Sequence, residues 1–131
     1  MKSEKFQITA DTGVIVFPSL GSLEVNVVFT KKQHEYMVKE NKLEEQPNAD
    51  DWGNVNGSMS TLYRDGVPAY IITIVKRSRR VVVHECIHCV HHIMDEKGIP
   101  ISLENTEIMA YFTGYLTESV MDIIFNRSVK K

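Results

Sequence analysis

The sequence predicts an α+β fold, and three observations carry that prediction. Four runs of strand character fall before about residue 76, and a Gly-containing turn, "DGV", splits the last two of them. From about Arg79 the apolar spacing turns helical and stays so for two successive segments. Strands first, then a strand hairpin, then two helices is the order of an α+β domain.

The elements follow in chain order. "GVIVF" (13–17), ended by Pro18, reads as a short strand, and "SLEVNVVFT" (22–30) alternates Leu23, Val25, Val27 and Phe29 on one half-buried face. "KKQHEYMVKENKLEE" (31–45) is polar and free of Gly and Pro, so a surface helix is expected. Within it "HEYMV" has Val38 where a second histidine would be needed for a metal pair. "QPNADDWGNVNG" (46–57) is a loop by composition, with Trp52 expected against the body; it lacks the terminal glutamate of a calcium loop. "SMSTLYR" and "PAYIITIVK" pair across the turn. The second is almost wholly apolar and so central, whereas the first is half polar and so an edge. The first long helix runs from about Arg79 to Gly98, with Pro100 behind it, and Ser102 is placed to cap the second, "LENTEIMAYFTGYLTESVMDIIF".

At 131 residues the chain is expected to form one domain, 1–131. Composition is that of a soluble protein, 43% hydrophobic and 24% charged with net charge −2, which gives no global reason to expect nucleic acid or a membrane as partner. No apolar run serves as a signal peptide or spans a bilayer, and two cysteines three residues apart make no disulfide framework. A cytoplasmic location is the expectation.

Chemistry is concentrated in "VVVHECIHCVHHIMDEKG" (81–98), which holds four of the five histidines. "HECIH" matches H-E-x-x-H. Residues four apart on an α-helix differ by only about 40°, so His84 and His88 present their imidazoles to one Zn2+ ion, and Glu85 lies about 100° further round, within reach of a metal-bound water. Cys86 and Cys89 point to the far face with Val82 and Ile93 and are expected to be buried apolar groups. His91 falls one turn too low, and His92 lies off to one side. A catalytic zinc needs a third protein ligand. Eighteen residues separate His88 from Glu107, room for a turn and the start of an antiparallel helix. Ala110, Tyr111, Gly114 and Glu118 share the face of Glu107, and the small residues there are expected to let the two helices approach. Glu104 is the rival ligand.

This pattern resembles the gluzincins, zinc peptidases with H-E-x-x-H and a glutamate on the following helix, and "TEIMAYFTGYL" is similar to a segment of small zincin-like proteins of phage and bacterial genomes. The resemblance covers about residues 69–118. It implies a minimal zincin fold: a small mixed sheet with an antiparallel edge strand, an active-site helix and a glutamate-bearing helix. It implies His84, His88 and Glu107 as zinc ligands, Glu85 as general base, and a peptide or protein substrate bound along the edge strand at 57–64. Where the thermolysin branch has an aspartate this chain has Tyr111, the first choice for oxyanion stabilisation, with Tyr115 or a loop group as alternatives. The implied activity is that of a cytoplasmic metallopeptidase of narrow specificity. Two alternatives stay open: a catalytically inactive zincin-like module that binds zinc and a partner protein, and a DNA-associated protease using the basic run "KRSRR" (76–80).

Overall fold

The computed structural model describes residues 13–17, 20–21, 23–44 and 56–126. Four strands form one sheet: β1 (Gly13–Phe17), β2 (Leu23–Val28), β3 (Gly57–Arg64) and β4 (Val67–Ile74), in the order β1-β2-β4-β3. The β1/β2 and β3/β4 pairs are antiparallel and β2/β4 is parallel, so the sheet is mixed, with β4 inside and β3 on an antiparallel edge. Composition decides that placement. β4 buries Ala69 to Ile74 on both faces, whereas β3 buries only Leu62.

The β3/β4 turn is Asp65–Gly66, both with positive φ (53° and 82°), the two-residue geometry whose twist matches paired strands. The far end of β3 is also engaged on its outer side, where the Glu44 amide donates to the Tyr63 carbonyl at 2.8 Å.

Three helices cover the sheet. On one face, α1 (Lys31–Glu40) is capped by the Thr30 hydroxyl, which accepts from the Gln33 amide, and its Met37 and Val38 pack on Val28, Leu62, Ala69 and Ile71. It stops at Glu40, five residues before the expected end, because Lys42 takes a positive φ of 55° and Leu43 turns inward. On the other face lie α2 (Arg79–Glu96) and α3 (Thr106–Met121). Ser78 caps α2 by accepting from the Val81 amide. Gly98, at φ 71°, ends it, with the Ile99 amide returning to the Met94 carbonyl. Ser102 makes no cap hydrogen bond. A short 3₁₀ turn, Leu103–Asn105, stands between it and α3, and Asn105 Nδ2 donates back to the Pro100 carbonyl. The last predicted turn continues as a π-helical segment, Asp122–Asn126.

The main core joins Val25, Val27, Tyr70, Ile72 and Ile74 of the sheet to Val82, Cys86, Cys89, Val90, Ile93 and Met94 of α2 and to Phe112, Leu116 and Val120 of α3. Phe17 of β1 meets Phe112 and Tyr115 edge-on, at 5.6 and 5.0 Å between ring centroids, and the Tyr115 hydroxyl donates to the Val16 carbonyl. Among the described residues no helix is long and apolar enough to cross a membrane. The loop expected at 46–57, with Trp52, lies outside the described residues up to Asn56.

Candidate metal centre

α2 leaves the sheet directly after the central strand β4 and runs along the edge strand β3. Three contacts fix that alignment. Near the start of β3, Gly57 lies beneath the helix: a Cβ there would come within 2.8 Å of Val81 Cγ1, 3.1 Å of Glu85 Cγ and 3.1 Å of the Thr73 carbonyl oxygen. Further along, Thr61 Oγ1 lies 2.5 Å from His92 Nδ1, and beyond it the Tyr63 hydroxyl donates to the Glu96 carboxylate. The geometry is commensurate. From Gly57 to Tyr63 a strand rises about 20 Å and from Val81, the nearest helix residue to Gly57, to Glu96 a helix rises about 22 Å, so the two elements stay in step.

On this frame His84 and His88 are both exposed, with ring centroids 4.8 Å apart and planes at 76°. The helix itself sets that spacing. Two neighbouring imidazoles that face water, with no hydrogen bond to another side chain among the described residues, suit the two-histidine half of a zinc site. Glu85, between them in sequence, turns inward and is 7% exposed. It makes no hydrogen bond or salt bridge among the described residues. Burial raises its pKa, and the neighbouring His84 and His88 act in the opposite sense. The glycine at 57 is what gives its side chain room, a role not evident from the sequence beyond the "NG" before a strand.

The cysteines take the expected apolar role. Both are free and buried, and desolvation pushes the Cys86 thiol up to about 12 and the Cys89 thiol well above its ordinary range. His92 faces β3, and burial lowers its pKa. The same surroundings act on Tyr63, whose bond to Glu96 raises its phenol to about 12.

α3 departs from the expected packing. Its buried stripe is Phe112, Leu116 and Val120, so Glu107, Ala110, Tyr111, Gly114 and Glu118 face solvent. A Cβ on Gly114 would meet nothing within 4 Å, so the small residues do not mark a close helix approach. The large apolar side chains took the inner face instead. Glu104 is exposed as well, in the 3₁₀ turn. Tyr111 is 61% exposed, with its ring stacked parallel to Tyr115 at 6.5 Å and tilted against Phe112. Among the described residues no three His, Cys, Asp or Glu side chains gather into a group able to hold a metal. The structure thus sets His84 and His88 side by side on the exposed face of α2 and seats Glu85 against the edge strand at Gly57; among the described residues Glu107 and Glu104 are not gathered with them, and Tyr111 stays on the exposed face of α3.

Comparison with protein-family models, with curated proteins and with solved structures gives no match to this chain.

Proposed function

We propose that the protein is a zinc-dependent peptidase of narrow specificity, with His84 and His88 as two ligands and Glu85 as general base. The observation that carries this reading is the alignment of the H-E-x-x-H helix with an antiparallel edge strand, Glu85 being seated against Gly57 at one end of that strand. An unpaired strand edge beside a metal-binding helix can hold an extended peptide by backbone hydrogen bonds. It would present the peptide's carbonyl next to the histidine pair.

Zinc bound there would supply Lewis acidity to a water and to the scissile carbonyl. The residues do the rest. The imidazoles of His84 and His88 bind as neutral donors, and the Glu85 carboxylate accepts a proton from the attacking water and returns it to the leaving amine. Glu107, on the exposed first turn of α3, is the proposed third ligand. Tyr111 offers an exposed phenol for the oxyanion on that same helix.

The test is zinc per chain by elemental analysis of native, tag-free protein, alongside His84→Ala, Glu107→Ala and Glu85→Gln. The expected result is near-stoichiometric zinc in the wild type and in Glu85→Gln, with loss in the two ligand variants. A folded wild type that takes up no zinc would end the enzyme reading, and an unchanged content in Glu107→Ala would remove that residue as ligand.

A further inference from the structure

The basic run at 76–80 is unexplained by the site as described, and the structure gives it a position. Lys76, Arg77, Arg79 and Arg80 are all exposed, and no carboxylate among the described residues pairs with any of them. Two are held by aromatic rings: the Arg77 guanidinium lies 4.4 Å above Phe29 and that of Arg79 4.8 Å from Phe125. Lys76 and Arg80 have no such contact. Their charges stand at the start of an 18-residue helix with no acidic residue in its first turn, where the macrodipole is already positive. Among the described residues no acidic side chain compensates this end of α2.

Two features connect Lys76 and Arg80 to the proposed site. Arg80 is four residues before His84, one turn along the helix and about 40° round, so Arg80, His84 and His88 form one exposed stripe. The Lys76 amide donates to the Asn56 carbonyl at 2.8 Å, which puts Lys76 at the Gly57 end of β3, where Glu85 packs. A chain laid along the outer edge of β3 would pass the histidine pair and then reach Arg80 and Lys76.

We propose that Lys76 and Arg80 form an anion-binding subsite that selects a peptide bearing an acidic side chain to one side of the histidine pair. This deepens the peptidase reading and rests on it for the ligand being a peptide. A carboxylate fits better than a nucleic-acid backbone. Two exposed cations match one or two acidic side chains, whereas a phosphate backbone is met by a longer basic stripe, and the whole chain carries a net charge of −2.

The experiment uses the full chain carrying Glu85→Gln and two fluorescein-labelled decapeptides, one alternating Glu and Ser and its match with Gln for Glu. Binding is read by fluorescence anisotropy at low and moderate salt, with zinc and after chelation, and a ten-nucleotide single-stranded DNA is the third probe. The Glu peptide should bind about tenfold more tightly than its Gln counterpart at low salt, an advantage that two charge contacts of ordinary strength can supply. Lys76→Ala/Arg80→Ala should erase that advantage with or without zinc, at unchanged circular dichroism, while Lys32→Ala/Lys39→Ala on α1 should keep it. Equal binding of the two peptides, or a double variant that binds as the parent does, overturns the proposal. Tighter binding of the DNA overturns it in favour of a nucleic-acid surface. Zinc content, measured on the same samples, reports separately on the peptidase reading, since a metal-free protein that still prefers the Glu peptide retains the subsite without the centre.

Discussion

Helices α2 and α3 lie against the same face of one sheet, yet only α2 turns a carboxylate inward. α2 buries Glu85 beside Val81 against the bare backbone of Gly57, and leaves its histidines outside. α3 fills its inner stripe with Phe112, Leu116 and Val120 and keeps Glu107 and Glu118 in water. An acidic group goes inside only where a neighbour yields space for it. Without that space the bulkier apolar side chains take the interior, because each gains about 1.5–3 kcal/mol on burial and an unpaired charge loses more.

The largest effect expected is at the centre of α3. Leu116→Ala should cost about 2–4 kcal/mol and lower the melting temperature by roughly 10 °C, because it empties a fully buried site. Glu107→Ala, on the opposite face, should change stability by no more than about 0.5 kcal/mol. Equal losses from these two, read by thermal unfolding, would mean that α3 is rotated from the orientation described. On α2 the seat of Glu85 is the point to disturb. Gly57→Ala places a methyl within 2.8 Å of Val81 Cγ1, and should cost about 1–3 kcal/mol in denaturant unfolding. An unperturbed variant would show that Glu85 does not depend on that glycine.

Removing the buried charge should act in the opposite direction. The folded-state pKa of Glu85 is raised, so the native protein holds its proton more tightly than the unfolded chain does. Metal-free protein should therefore lose stability as pH rises from the ordinary carboxylate range through the raised value. Glu85→Gln should abolish that part of the slope and be about 1 kcal/mol more stable at pH 7. Parallel pH–stability curves for parent and variant would contradict it. The smaller of the two gains belongs to Gly114. With open space around it in mid-helix, Gly114→Ala should stabilise by about 0.5–1 kcal/mol, whereas a glycine in a tight helix contact would make the same change costly.

Much of this architecture was legible in the sequence. β1 has the expected bounds, β4 and β3 took the central and edge positions that their apolar and mixed compositions imply, and α2 begins and ends where Ser78 and Gly98 dictate. The burial of both cysteines followed from their angular position alone. The rotation of α3 differs from the expectation: Ala110 and Gly114 are small enough for a helix contact, but Phe112, Leu116 and Val120, on the opposite face, carry far more apolar area and take the interior. Gly57 could not have been found by pattern, since its importance comes from a side chain 28 positions later that reaches it only in the folded sheet.

The Glu44–Tyr63 contact has a consequence for length. Tyr63 directs its carbonyl outward to Glu44, and backbone groups of alternate residues point to the same side of a strand, so Thr61, Met59 and Gly57 also aim theirs outward. Among the described residues those three have no strand beyond them. They are rungs about 7 Å apart, closed at one end by Glu44 and ending at the other beside Glu85. The edge is a ruler about 14 Å long, graduated in two-residue steps, with its zero mark at Gly57. A segment of about five residues fills it, and sliding that segment by one residue reverses every side chain it presents.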